Sequence, residues 1–194
     1  MKKLIGLKKF NTAIFISGNG SNLLNLIKYS LKRRSIIRIK AVVSNDLEAK
    51  GLEHAKKYRI IKKVFKFKNK IDDENKILRL LKDKNINLIC LAGFMKILSK
   101  NFIKKFKGKI LNVHPSLLPR YKGLNTHKRV IHNNEKFSGC TIHYVSSKLD
   151  SGKIILQKKV KVKKNDTAKT LAKKILKHEH ILYPKAIKKI FINL

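Results

Sequence analysis

The stretch NLICLAGF, residues 87–94, is continuous and apolar, as a strand buried on both faces should be. Outside it, short apolar runs alternate with longer helical patterns. The apolar runs are AIFIS (13–17), IRIKAVVSN (37–45) and IKKVFKF (61–67), and helix-like segments follow them at 22–34, 48–58 and 72–84. This alternation predicts an α/β fold with a mostly parallel, twisted sheet and helices on both faces.

The later part of the chain has a different pattern. SGCTIHYV (138–145) and KIILQKKVKV (153–162) are strand-like runs, and the turn-rich SSKLDSG (146–152) separates them. We therefore expect antiparallel strands near the C-terminal end, followed by a helix that Asp166 or Thr167 could cap. Because no repeat, low-complexity tract or linker divides the sequence, we expect a single domain over residues 1–194.

The formal net charge of +37 is the most unusual feature of the composition. Taken alone, it suggests a nucleic acid or an anionic membrane surface as partner. However, the lysines occur in nearly every segment, beside abundant Ile and Asn, instead of forming one basic block. A genome biased toward AT-rich codons would produce the same excess. We therefore expect no specific nucleic-acid partner and no membrane partner.

Cysteine usage and the apolar runs bear on the compartment. Cys90 and Cys140 lie far apart and form no metal-type spacing, which indicates reduced thiols. Lys8, Lys9 and Asn11 interrupt the first apolar run before it reaches the length of a signal sequence. No stretch approaches transmembrane length. We therefore expect a cytoplasmic protein.

The segment SGNGSN, residues 17–22, lies between the first strand and its helix. Gly18 and Gly20 let the backbone turn tightly and approach a ligand closely. Ser21 and Asn22 stand at the helix start, where free N–H groups and the helix dipole favour an anion. The segment lacks the third glycine of the dinucleotide fingerprint and the GK[ST] of a P-loop. Phosphate binding and a plain strand-to-helix turn therefore both remain open.

A second loop, LAGFMKILSK (91–100), follows the most apolar strand. Phe94, Met95, Ile97 and Leu98 could form an apolar wall for an aromatic ligand. Taken in isolation, the pattern favours core packing at the start of a helix.

The segment KILNVHPSLLPRYKG (109–123) begins as a strand and ends as a loop. Asn112 and His114 are two residues apart, so their side chains would emerge on the same face. Asp150 could pair with His114, because a carboxylate near a histidine orients the ring and favours its protonated form. Asn112 could hold a developing oxyanion. These residues suggest acid–base chemistry at one site.

The sequence contains no G-x-S-x-G, no HExxH and no nucleophilic cysteine context. His127, His132 and His143 also lie in this part of the chain, but no pair of them has a metal spacing, and a lone histidine is more often structural. We therefore expect no metal and a transfer reaction without a covalent intermediate.

Several of these segments together resemble a known family. ISGNGSN, LAGFMKILS, LNVHPSLLPRYKG with THK, GCTIHYV, LDSGKIILQ and EHILYP occur in the order found in phosphoribosylglycinamide formyltransferases, from about residue 12 to residue 185. The N-x-H-P-S-L-L-P motif with a downstream Asp is specific to the formyltransferase superfamily. The resemblance implies a Rossmann-like formyltransferase fold. It also implies transfer of the formyl group of the cosubstrate 10-formyltetrahydrofolate to the amine of glycinamide ribonucleotide, in de novo purine (IMP) biosynthesis.

The resemblance also implies roles for single residues. Asn112 and His114 would polarise the formyl oxygen, His114 would donate a proton, and Asp150 would assist His114 and order water. The implied ribonucleotide contacts are Gly20, Ser21, Asn22 and Glu179, and the implied folate contacts are Lys70, Met95, Lys96, Ile97, Leu98 and Asn112. We expect these groups around one cleft, in a monomer or weak homodimer.

Two related families share the three residues to which the resemblance assigns catalysis, Asn112, His114 and Asp150, which we call the trio. Methionyl-tRNA formyltransferases typically have Ala after the motif histidine and carry a further RNA-binding domain, and formyltetrahydrofolate deformylases typically have a second His there and a regulatory domain. Here Pro115 follows His114, and 194 residues leave no room for either extra domain. The ribonucleotide family is favoured, although this chain departs from its pattern at Lys122, Asn125, Lys153 and Leu176.

Overall fold

The computed structural model describes residues 9–192. The strands in this range are β1 Phe10–Ile16, β2 Ile37–Ser44, β3 Ile61–Val64, β4 Leu88–Leu91, β5 Lys109–His114, β6 Phe137–Tyr144 and β7 Ile154–Lys161. The helices are α1 Ser21–Ser30, α2 Gly51–Lys57, α3 Lys70–Asp83, α4 Lys100–Lys105, α5 Thr126–His132 and α6 Ala168–Ile192. The prediction that the N-terminus is not a signal sequence rests partly on residues outside the described range.

The strands belong to a seven-stranded mixed sheet in the order β3-β2-β1-β4-β5-β6-β7. The pairs β1–β2, β1–β4 and β2–β3 are parallel, whereas β5–β6 and β6–β7 are antiparallel. The predicted fold class, mostly parallel with antiparallel strands near the C-terminal end and helices around the sheet, is therefore confirmed. The chain also divides into two compact units, which meet in sequence at Ile110 and Leu111. The expectation of a single domain remains a prediction.

The first unit is built around β1, which pairs with β2 on one side and with β4 on the other. Residues 13–16 of β1 and all of β4 are buried, which is why their sequences are apolar without alternation. Helix α3 begins where Asn69 accepts a hydrogen bond from the backbone N–H of Asp72, and its acidic residues come first, as the helix dipole favours. At the carboxyl ends of β1 and β4 lie the loops that the sequence singled out, the edge where open parallel sheets bind ligands.

The second unit consists of the antiparallel strands and the long helix α6, which packs against β6 and β7. Leu171, Ile175, Tyr183 and Ile187 are fully buried, and their spacing places them on one face of the helix. The hydroxyl of Tyr183 donates to the carbonyl of Leu111 in β5, at 3.2 Å. The helix thereby holds the strand that carries Asn112 and His114.

Three features differ from the sequence-based expectations or were absent from them. Residues 92–99 form an irregular loop, and α4 begins only at Lys100, after Ser99 has capped it. The short helix α5 was not predicted. Helix α6 continues past Pro184 to Ile192, although proline usually ends a helix.

Cys90 and Cys140 are both buried, and neither forms a disulfide within the described residues. Within residues 9–192 there is no helix with the length and apolar character needed to cross a membrane.

Candidate active site

The end of β5 brings Asn112 and His114 into one cluster with Asp150 and His143. Asn112 lies opposite His143 in the β5–β6 pairing, and His114 lies opposite Thr141. The side chains of Asn112 and His114 share a face of the strand, because strand residues alternate between faces. The sequence predicted Asn112, His114 and Asp150 as a group, and the structure brings them together.

His114 is buried and has a partner at each ring nitrogen. Its Nε2 lies 2.8 Å from the backbone carbonyl oxygen of Tyr121, and its Nδ1 lies 3.3 Å from Oδ2 of Asp150. A carbonyl oxygen only accepts, so Nε2 carries a proton. A second proton on Nδ1 would make the ring an imidazolium facing a carboxylate. Both ring nitrogens of His114 therefore face oxygen acceptors.

Asp150 is almost completely enclosed, and its side chain is only 8% exposed. Its Oδ2 accepts the backbone N–H of Gly123 at 2.9 Å, in addition to facing His114. Its Oδ1 accepts from Nδ2 of Asn112 at 3.4 Å. The backbone of Asp150 has φ +46°, a left-handed conformation in which Asp and Asn are the commonest residues after glycine. The two oxygens of Asp150 thus hold both other members of the trio.

The amide of Asn112 also reaches His143. Its Nδ2 lies 3.2 Å from Nε2 of His143, and Nδ1 of His143 lies 2.8 Å from the carbonyl oxygen of Tyr144. The carbonyl requires a proton on Nδ1, so Nε2 of a neutral ring accepts from Asn112. Burial lowers the pKa of His143, although the Tyr144 carbonyl and Asp150 act in the opposite direction. His143 is therefore a neutral acceptor that orients the Asn112 amide.

A buried hydroxyl and an amide support the loop that follows His114. Oγ1 of Thr141 accepts the backbone N–H of Leu118 at 3.2 Å and donates to the carbonyl of Ser116 at 2.7 Å. The side-chain amide of Gln157 donates to Thr141 and to the Leu118 carbonyl, at 2.9 and 2.8 Å. These bonds tie the loop to β6 and β7, so they fix the path of the chain that leads back to His114.

Two arginine side chains lie close to the ring of Tyr121. The guanidinium carbons of Arg120 and Arg129 lie 5.4 and 5.2 Å from its ring centroid, within cation–π range. Its hydroxyl donates to Oε1 of Glu135 at 2.6 Å and accepts from the amide of Asn133 at 3.0 Å. The backbone of Tyr121 has φ +55°, and its carbonyl oxygen lies 2.8 Å from Nε2 of His114. The side chain thus fixes a backbone oxygen that belongs to the site.

The other histidines of this region have no comparable contacts. Burial lowers the pKa of His127, and the charge of His114 adds to the effect. The Nδ1 atom of His127 is buried without a hydrogen-bond partner. His132 ends α5. In the part of the chain that the structure describes, no group of three or more His, Cys, Asp or Glu side chains could hold a metal ion.

Glu179 lies buried in α6 and is 7% exposed. Its charge acts on Cys140: burial raises the pKa of this thiol to about 12, and Glu179 contributes to the rise. Cys140 is therefore a protonated, inert thiol at neutral pH. A carboxylate buried at this depth can recognise a cationic or hydrogen-bond-donating group.

The loop at residues 17–22 lines a cavity of about 240 Å³ in the first unit. Gly20 precedes α1 with φ +70°, and a Cβ atom there would come within 2.6 Å of the Cα of Gly51. Only glycine fits this position, for both reasons. Ser21 and Asn22 form the first turn of α1, and both line the cavity. The positive end of the helix dipole at this turn favours an anion there.

The loop at residues 92–98 combines exposed and buried apolar side chains. Met95 and Ile97 are 62% and 61% exposed, whereas Leu98 is buried. Phe94 packs edge-on against Phe15, with ring centroids 5.3 Å apart. Lys96 and Lys70 are both exposed, and Lys70 is the first residue of α3. The loop therefore presents an apolar surface flanked by a cation.

Comparison with known proteins gives a consistent result. The sequence profile of the family described as formyl transferase matches residues 10–187. The chain is 40% identical over 183 residues to the human trifunctional purine biosynthetic protein adenosine-3, covering 93% of this chain but 18% of that protein. It is 39% identical over 179 residues to the phosphoribosylglycinamide formyltransferase of Haemophilus influenzae, covering 91% of this chain and 84% of that one.

Solved structures agree with these sequence matches. The phosphoribosylglycinamide formyltransferase of Brucella melitensis superposes with a TM-score of 0.89 at 43% identity, covering 95% of this chain and 96% of that chain. The enzyme of the same name from Anaplasma phagocytophilum superposes with a TM-score of 0.90, also at 43% identity, covering 96% and 88%. The chain thus spans less than a fifth of the human trifunctional relative and most of the bacterial ones.

Proposed function

The chain belongs to the formyl transferase family, and from this premise we propose that it transfers the formyl group of 10-formyltetrahydrofolate to the amine of 5′-phosphoribosylglycinamide. The products are formylglycinamide ribonucleotide and tetrahydrofolate, in the purine pathway to IMP. The observation that carries the proposal is the cluster of Asn112, His114 and Asp150, in which the Asn112 amide donates to Asp150 and the Asp150 carboxylate faces the His114 ring at 3.3 Å.

The proposed chemistry uses the groups already in contact. The substrate amine attacks the formyl carbon, a C–N bond forms, and negative charge develops on the formyl oxygen. The Asn112 amide now faces Asp150 and His143, and the formyl oxygen takes the place of one of these acceptors. The positive charge of the protonated His114 ring stabilises the oxyanion as well. The bond to the folate nitrogen then breaks, and that nitrogen receives a proton from His114. The attacking amine loses one proton as the amide forms, and this proton restores the protonated state of His114. Asp150 faces the ring at 3.3 Å and stabilises its positive charge.

We propose that the ribonucleotide phosphate binds at Gly20, Ser21 and Asn22. The supporting observations are the cavity that these residues line and the helix start that follows Gly20. Glu179 is proposed to contact the glycinamide end, because a buried carboxylate suits an amine.

For the folate, we propose Met95, Ile97 and Leu98 as the apolar surface against the pterin ring. Lys96 and Lys70 supply positive charge, which suits the carboxylates of the folate tail. Asn112 is also proposed to contact the folate, since its amide must reach the formyl group that the folate carries. The exposure of Met95 and Ile97 supports this role, because exposed apolar side chains gain most when a ligand covers them.

A cytoplasmic location, a single domain and a monomeric or weakly dimeric state remain predictions. So does the absence of a specific nucleic-acid partner. Related enzymes use the same three residues for other reactions of formyltetrahydrofolate. The substrate of this chain must therefore be tested directly.

The test follows the absorbance change as 10-formyltetrahydrofolate loses its formyl group. Three reactions are compared: with glycinamide ribonucleotide, with methionyl-tRNA, and with no acceptor. We expect turnover only with the ribonucleotide. Turnover with methionyl-tRNA or without an acceptor would assign the chain to a sister activity. No absorbance change in any of the three reactions would contradict formyl transfer itself.

A further inference from the structure

Ser17 stands at a junction of the first unit. It follows β1 directly, and its hydroxyl donates to the side-chain oxygen Oδ1 of Asn45, the residue after β2. The same hydroxyl oxygen accepts the backbone N–H of Met95 at 2.7 Å. The backbone N–H of Ser17 donates to the carbonyl of Gly93 at 3.1 Å. One residue therefore contacts the segments that follow three neighbouring parallel strands.

Two of these segments have proposed ligands. The phosphate loop, defined as residues 18–22, begins at the residue after Ser17, and Ser17 itself lines its cavity together with Gly93 and Met95. The folate loop, defined as residues 92–98, takes part in two of the three hydrogen bonds: Met95 donates one and Gly93 accepts the other. Ser17 is thus the covalent neighbour of one loop and the hydrogen-bonded anchor of the other.

The chemistry of the hydroxyl explains why Asn45 matters. A serine hydroxyl has one proton and can rotate about its Cα–Cβ and C–O bonds. With its proton directed at Asn45, its lone pairs are left for the Met95 N–H. Since Met95 is largely exposed, water could satisfy that N–H if the hydroxyl were absent. Loss of the hydroxyl should therefore increase local opening of the folate loop and have a smaller effect on the global free energy of unfolding.

We propose that Ser17, oriented by Asn45, is a positioning residue that couples the phosphate loop to the folate loop. An anion in the phosphate loop restrains Ser17, and Ser17 passes this restraint to the Met95 backbone through a single hydroxyl. Ser17 acts through the loops and makes no contact with the reacting atoms. The inference rests on the proposed function, because that function assigns the ligands of the two loops.

The first test measures amide hydrogen exchange in the folate loop, with and without inorganic phosphate. In the unmodified protein we expect phosphate to slow exchange at Met95. In Ser17→Ala, exchange at Met95 should be roughly fivefold faster, in line with the loss of one hydrogen bond, and should no longer respond to phosphate. Ser17→Thr keeps a hydroxyl and should restore the response.

Ser30→Ala is the matched control, because Ser30 also makes one side-chain hydrogen bond in this unit, to the Ile27 carbonyl at 2.7 Å. It should leave exchange at Met95 unchanged. Asn45→Ala should resemble Ser17→Ala, and the double variant should add little to either single one. An unmodified protein whose Met95 exchange ignores phosphate, or a Ser17→Ala variant that responds normally, would overturn the coupling.

The second test is kinetic. Ser17→Ala should raise KM for both the ribonucleotide and the folate about tenfold, with kcat changed less than about threefold, since positioning affects binding of both ligands. Ser30→Ala should leave both KM values unchanged. A change in kcat alone, or in only one KM, would contradict the proposal. If the unmodified protein transfers no formyl group, the proposed function fails, and the exchange measurement still decides the role of Ser17.

Discussion

Replacing Asp150 by Asn isolates the contribution of one charge to the proposed reaction. Asn tolerates the left-handed backbone at this position, where φ is +46°. The Gly123 N–H requires an oxygen acceptor, so the remaining oxygen should occupy the place of Oδ2. The new NH₂ group would then face the amide of Asn112, where 3.4 Å now separates a donor from an acceptor. The variant should fold, with an uncharged group beside His114.

The size of the effect follows from the contact between Asp150 and His114. A hydrogen bond to a charged group contributes roughly 1.5–3 kcal/mol. This contact stabilises an imidazolium, so its loss should act on the transition state and lower kcat by about 10- to 150-fold. In the variant the NH₂ groups of residues 112 and 150 would face each other without an acceptor, and this would lower kcat further. KM for the ribonucleotide should change little, because Asp150 is not proposed to contact it.

The assay is the formyl-transfer reaction followed by absorbance, with circular dichroism to verify folding. Asp166→Asn is the matched control. Asp166 also accepts several hydrogen bonds, including the Lys163 N–H at 2.8 Å and the Thr170 hydroxyl at 3.1 Å, at the start of α6. This control should lower the melting temperature and leave kcat unchanged. A folded Asp150→Asn variant with kcat within about threefold of the unmodified protein would refute the proposed role of the charge.

Three further predictions concern stability and substrate binding. Burial lowers the pKa of His127, His143 and His180 below the usual 6.5, so below that pH the unfolded chain binds protons that the folded chain does not. The free energy of unfolding should therefore fall as the pH is lowered from about 7.5 to about 5.5. Equal midpoints of urea unfolding at these two pH values would contradict this. Glu179→Gln should raise KM for the ribonucleotide about tenfold without changing KM for the folate, whereas equal changes in both would show a structural effect. Because the net charge is +37, sodium chloride should raise the melting temperature by screening repulsion, and a lower midpoint in moderate salt would count against repulsion as a destabilising force.

Much of the fold was predictable because the buried strands coincide with apolar runs in the sequence. The apolar run at 87–94 contains β4 at Leu88–Leu91, and the run at 37–45 contains β2 at Ile37–Ser44. A strand covered on both faces needs apolar residues at every position, so no alternation confuses the pattern. The edge strand β3 was predicted to residue 67 and ends at Val64, because lysines on an edge strand carry little information about where pairing stops.

The geometry of the candidate site was predictable only where side chains make the contacts, and the roles of these residues remain predictions. Asn112, His114 and Asp150 have chemistry that a sequence displays. The partners of His114 and His143 include the backbone oxygens of Tyr121 and Tyr144, which no residue type reveals. His143 itself could have been found from the antiparallel pairing of β5 with β6, which places it opposite Asn112. The sequence located both strands without specifying their register.

Backbone contacts at the site have a consequence for how this chain can change over generations. The oxygen that accepts the hydrogen bond from Nε2 of His114 belongs to the Tyr121 main chain, and the carbonyl that faces Nδ1 of His143 belongs to Tyr144. The Gly123 main chain donates one of the hydrogen bonds that Asp150 accepts. A codon change cannot delete a peptide group. Lysine, the most heavily accumulated residue of this chain, occupies position 122 between two of these groups, and both hydrogen bonds are retained. These contacts of the trio therefore do not depend on which side chain stands at position 122.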